Sequence, residues 1–208
     1  MQLNDALAQI GEIRHQVERA RVYRGYRSVP VGFSAVLAVL TAGFQAWTLD
    51  DPLADLGLYV GIWAGAALIS LIAAGSEITV RYTRSTSDGD RARTRAALGQ
   101  FLPCLLCGGL LTLTIVVAGQ DAAWLLPGLW AILFSLGIFS SLSVLPPGFS
   151  SVAIFYLLCG VANVMFAQGA HALSPWAMAV PFGLGQLWTA ALLYWRLERR
   201  SEGNPLNE

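Results

Sequence analysis

Six apolar runs, each close to 20 residues long, occupy positions 31–48, 56–75, 101–119, 123–144, 149–168 and 176–195 of this 208-residue chain. A helix rises 1.5 Å per residue, so about 20 residues cross the ~30 Å hydrocarbon core of a bilayer. Backbone polar groups in hydrocarbon must find partners within their own segment, and an open sheet cannot supply them. The runs therefore predict an all-α membrane protein with six transmembrane helices. Composition agrees: 12% of residues are charged and 55% hydrophobic, against about 25% charged in a soluble domain. The spans take up more than half of the chain, which leaves one membrane domain (29–196), a segment of about 28 residues before it, a loop at 76–100 and a tail at 197–208. No separate catalytic domain fits.

All 13 cationic residues are Arg, and they fall in three groups: Arg14 to Arg27, Arg81 to Arg95 and Arg196 to Arg200. With six spans the three groups share one side, and short positively charged segments stay in the cytoplasm. Both termini are therefore expected in the cytoplasm. The opposite connections hold Asp50, Asp51, Asp55 and Asp121 but no Arg. Trp47, Trp124 and Trp176 mark the outer boundary, and Tyr194 and Trp195 the inner one, as amphipathic rings prefer. The first apolar run begins too late for a cleaved secretory signal. Pro30, Pro103 and Pro127 are expected before or within the first turn of a span, Pro146-Pro147 to turn the chain, and Pro181 to distort span six.

Short outer connections predict three hairpins. Gly61-Ile62-Trp63-Ala64 recurs as Gly128-Leu129-Trp130-Ala131, and Gly32-Phe33-Ser34 as Gly148-Phe149-Ser150, fragments that either reflect a repeated hairpin or arise from a small apolar alphabet. Gly57, Gly61 and Gly65 give span two a smooth stripe suited to close helix packing, within the chain or with a second copy. Span four offers Ala131, Ser135, Gly137 and Ser141, and span six Gly185 and Thr189.

The interior of every run lacks Asp, Glu, Lys, Arg and His. Pumps, proton-coupled carriers and voltage sensors depend on such groups. No Lys is present for a retinal Schiff base, and His15 and His171 lie outside the runs, away from any bundle-held haem. HExxH and GxSxG are absent. No catalytic residue, metal ligand or cofactor is expected. Cys104 and Cys107 form a CxxC, but no cation or exposed helix start lies beside it, and packing accounts for it more simply than redox chemistry. The outer carboxylates read as helix caps rather than cation ligands. Four uncharged residues remain as ligand or pore candidates: Gln45, Asn163, Gln186 and Trp188. They could line a vestibule open to the outside for a neutral or lipid-like solute, or serve as interhelical hydrogen bonds.

Ahead of span one, Leu3, Ala6, Ile10, Ile13, Val17 and Ala20 repeat at three and four residues, the signature of an amphipathic helix. Ile10, Ile13 and Val17 form its apolar stripe, while Arg14, Arg21 and Arg24 suit the anionic inner leaflet. This helix can lie on the membrane, dock on a partner protein, or self-associate. The 76–100 loop should extend spans two and three, turning at 85–89. Its five Arg and one aromatic residue fit leaflet contact better than nucleic acid, which is not expected as a partner.

The stretch from Ala6 to Val17, continuing through Tyr23-Arg24-Gly25-Tyr26-Arg27-Ser28-Val29-Pro30 into span one, resembles the start of an uncharacterised group of bacterial six-span membrane proteins associated with winged-helix regulators. The resemblance implies a multi-pass protein of the bacterial inner membrane with a regulatory role and no catalytic residues. The resulting expectation is a non-enzymatic protein that binds a partner or acts as a scaffold through its cytoplasmic helix; the alternative is a channel or facilitator for a small neutral or lipid-like solute. Expected partners are the bilayer, a cytoplasmic protein or a further copy of the chain.

Overall fold

The computed structural model describes residues 28–84 and 88–195. Among them there is no strand, and six helical segments are long and apolar enough to cross a membrane. They are α1 (Ser28–Thr48), α2 (Leu56–Arg84), α3 (Asp88–Ala118), α4 (Leu126–Ser140), α5 (Phe149–Phe166) and α6 (Pro175–Leu193). These lengths and compositions fit a multi-pass membrane protein. Segment 1–27, with Ile10, Ile13, Val17, Arg14, Arg21 and Arg24, lies outside the described residues, as do residues 85–87, where a turn is expected, and residues 196–208.

Each helix packs against its neighbours in sequence, and α6 returns to α1, so the six close into a ring. Matched only by the contact of α1 with α6, the contact joining α4 to α5 runs across the predicted hairpins rather than inside one. Two glycines explain it. A Cβ on Gly160 would lie 2.8 Å from the Gly128 carbonyl oxygen and 2.6 Å from Ile132 Cγ1, and one on Gly128 would lie 2.8 Å from the Gly160 carbonyl oxygen. Only paired glycines let the two backbones touch in this way. The stripe of Gly57, Gly61 and Gly65 does not play that part among the described residues, where nothing lies within 4 Å of a Cβ at any of the three. Small size permits close approach, but no described helix comes to that face.

One proline departs from expectation and another distorts its helix as expected, each for a local reason. Pro103 lies inside α3 rather than in its first turn, because the polar residues from Asp88 onward are already helical and the helix starts well before the apolar run. Pro181 sits in a π-helical turn, Ala179–Leu184, that interrupts α6; proline has no N–H for the regular ladder, and the chain widens there. Pro127 does fall at the start of α4. The turn after Pro146-Pro147 passes through Gly148 at φ 104°, a left-handed conformation open to glycine.

Aromatic rings occupy the middle of the ring of helices. Tyr59 of α2 stacks on Trp130 of α4, with centroids 6.3 Å apart and planes 4° from parallel. Phe134 of α4 then meets Tyr156 of α5 at 4.8 Å, Phe182 of α6 at 5.7 Å and Phe101 of α3 at 5.2 Å. Burial is uneven along the axis. The residues that α2 and α3 bury completely, Leu56, Tyr59, Trp63 and Ile115, all sit at the end carrying Asp50, Asp51, Asp55 and Asp121. That end is called the carboxylate end below, and the opposite one the arginine end.

Candidate functional site

The polar side chains inside the apolar segments gather where the chain is least regular. After α5, a short 3-10 turn at Gly169–His171 leads to Leu173, which is fully buried at φ 57°. A left-handed conformation costs a non-glycine residue about 1–2 kcal/mol. Leu173 adopts it because its side chain enters the core formed by Ala38, Ala42, Tyr59, Trp63 and Leu126. Its carbonyl is thereby turned out of any helical ladder. Gln45 of α1 meets it: Nε2 donates to the Leu173 oxygen at 2.7 Å, while Oε1 accepts from Trp63 Nε1 of α2 at 2.8 Å. Gln45 is itself fully buried. One carboxamide thus ties α1, α2 and the entrance to α6 together with both of its polar atoms engaged.

Asn163 performs the matching task one turn further on. In a regular helix the Ala177 carbonyl would accept from the N–H of residue 181, and residue 181 is proline. Asn163 Nδ2 of α5 donates to that oxygen instead, at 2.7 Å. The π turn and the exposed carbonyl are consequences of Pro181, and Asn163 is the compensation.

Of the four ligand candidates, the structure brings Gln45 and Asn163 to one irregular segment but not to a shared vestibule. Gln186 lies nine residues beyond Ala177, about 13 Å along the helix. It is half-buried and makes no hydrogen bond. Trp188 is 42% exposed and packs on Phe155 at 5.8 Å. Of the two readings, Gln45 and Asn163 fit the interhelical hydrogen bond: the Leu173 and Ala177 carbonyls claim them.

Sequence reading missed three residues here. Trp63 and Trp130 each donate an indole N–H to a polar side chain 18 residues earlier, Gln45 in one case and Thr112 in the other, both at 2.8 Å. The recurring Gly-x-Trp-Ala was the available signal, and its tryptophan does the same job in both places. The third is Ser135, fully buried, whose hydroxyl donates to the Ala153 carbonyl of α5 at 2.7 Å, a role that its small size does not announce.

At the carboxylate end, Asp51 Oδ1 accepts from the backbone N–H of Leu53 and Ala54 at 3.1 and 3.3 Å, which organises the turn into α2. Among the described residues no three His, Cys, Asp or Glu side chains are grouped to hold a metal ion. Cys104 is half-buried, Cys107 is exposed, and both are free thiols. No protein family, curated protein or solved structure matches the chain.

Proposed function

We propose that this chain is a non-enzymatic integral protein of the bacterial inner membrane, with both termini in the cytoplasm, that holds its N-terminal amphipathic segment at the cytoplasmic face to engage a partner protein in a regulatory or scaffolding role. The observation that carries this reading is the occupation of Gln45 and Asn163. The polar groups that would line a path for solute are committed to the bundle's own backbone, and aromatic rings fill its middle. The bundle then acts as an anchor, and residues 3–27 are the segment that anchoring does not require.

Insertion is supported by rings exposed at both ends of the apolar belt, Trp47 and Trp176 at one and Tyr194 and Trp195 at the other, where a headgroup layer would receive them. Orientation rests on the arginines. The large side chains that α3 leaves exposed, among them Leu106, Leu110, Leu113 and Val117, would face lipid.

The test compares the full chain with a version lacking residues 1–25, both isolated from native membranes under mild conditions with their bound proteins. The truncated chain should retain the unfolding midpoint of the full chain and lose the captured partner. Identical capture by both would refute the proposal.

A further inference from the structure

The recurring Gly-x-Trp-Ala has a partner that recurs with it. Gly61-Ile62-Trp63-Ala64 and Gly128-Leu129-Trp130-Ala131 lie 67 positions apart, and so do Gln45 and Thr112, the acceptors of the two indoles. A small apolar alphabet repeats letters by chance. It does not repeat an indole N–H donating at 2.8 Å to a polar side chain of the preceding helix. The same shift carries inward positions of α2 onto those leading into α4, Leu56 onto Ala123 and Tyr59 onto Leu126, all four buried. The outward position differs: Gly61 is exposed and Gly128 is pressed on Gly160, because only α4 has a described helix on that side.

The two hairpins share the interval and not the turn. α1 ends three residues after Gln45 and α2 begins seven before Trp63, whereas α3 ends six after Thr112 and α4 begins four before Trp130. The connection sits differently on the corner, yet 18 positions separate acceptor from indole in both. An indole N–H without an acceptor is costly in hydrocarbon. A slip of one residue would turn the acceptor about 100° round its helix, so the bond selects one register.

The third hairpin keeps the interval and changes the chemistry. Eighteen positions after Asn163 stands Pro181, and Asn163 donates to the Ala177 carbonyl, the one that an N–H at position 181 would have taken. The first two hairpins carry the donor on the second helix; here that position is proline, and the donor is on the first. Gly32-Phe33-Ser34 and Gly148-Phe149-Ser150 lie 116 positions apart, against 118 from Gln45 to Asn163, so that fragment is outside the common register. We infer that the three hairpins are copies of one unit, each held in register by one lock at the same place: Gln45 with Trp63, Thr112 with Trp130, and Asn163 with the carbonyl that Pro181 frees.

Thr112 and Trp130 give the cleanest test, since Gln45 also serves Leu173. In the full chain in bicelles, unfolded by steric trapping, a double-mutant cycle of Thr112→Val with Trp130→Phe should show coupling of about threefold in the folding equilibrium constant, the size of an average interhelical hydrogen bond in a membrane. Thr112→Ser keeps the hydroxyl and should keep the coupling. Moving the acceptor one residue, with Thr112→Val and Leu113→Ser together, should not restore it, because Leu113 is 60% exposed. Gln45 and Trp63 should couple by at least as much, and Pro181→Ala should relieve the loss caused by Asn163→Leu. Coupling absent at either tryptophan, lost in Thr112→Ser or surviving the one-residue move would overturn the common lock, as would an Asn163→Leu loss that Pro181→Ala leaves unchanged.

Discussion

Replacing Gln45 with leucine keeps the volume of a buried side chain while removing both of its polar atoms. Two hydrogen bonds disappear, from Nε2 to the Leu173 oxygen and from Trp63 Nε1 to Oε1. Interhelical hydrogen bonds in membrane bundles average about 0.6 kcal/mol and reach about 1.7, which sets a floor of about 1 kcal/mol for the pair. The larger effect is what the change leaves behind. The Trp63 N–H and the Leu173 carbonyl would both be stranded in a buried region, and each stranded group costs about 1–3 kcal/mol. Leu173 would also lose the tether that holds its left-handed backbone. The expected loss for Gln45→Leu is about 3 kcal/mol. Reversible unfolding in bicelles measures it, read by steric trapping. Trp63→Phe should lose about 1 kcal/mol, and a double-mutant cycle should show the two positions coupled by a similar amount. A loss under about 1 kcal/mol for Gln45→Leu, with no coupling to Trp63, would mean that the carboxamide does not hold the helices together.

Other perturbations separate the tight contacts from the open ones. Gly160→Ala places a Cβ against backbone that cannot retreat and should cost about 3 kcal/mol, whereas Gly61→Ala meets open space and should leave unfolding unchanged or improve it by up to about 1 kcal/mol through helix propensity. Tyr59→Phe removes a buried hydroxyl that has no partner, so the thermal midpoint should hold or rise, equivalent to about 1 kcal/mol. Asn163→Leu should cost about 1–2 kcal/mol. That loss should fall by at least half in a Pro181→Ala background, where the substitution restores an N–H able to serve the Ala177 carbonyl.

The six helices were legible because hydrocarbon-length runs admit few structures, and their ends follow the apolar runs except where polar sequence stays helical, as from Asp88 into α3. Distortion at Pro181 was legible too, since proline announces its missing donor. The response to that distortion was not. Nothing in the order of residues says that Asn163 in α5 will serve the Ala177 carbonyl, or that Gln45 will find Leu173, because both depend on how helices far apart in sequence come together. Glycine spacing did not locate the tight contact inside the chain, for a related reason. The regular stripe on α2 drew attention, yet the backbone contact formed at Gly128 and Gly160, single glycines on separate helices with no periodic signature. Leu173 was invisible in sequence, since leucine gives no hint of a left-handed backbone.

The account turns on a bundle closed to solute at its carboxylate end, and flux through it tests that most directly. Purified chain in proteoliposomes, subjected to a glycerol gradient in a stopped-flow swelling assay, should equilibrate no faster than protein-free vesicles of the same lipid. A protein-dependent flux that Gln45→Leu or Asn163→Leu alters would contradict it, and would return those side chains to the lining of a pore.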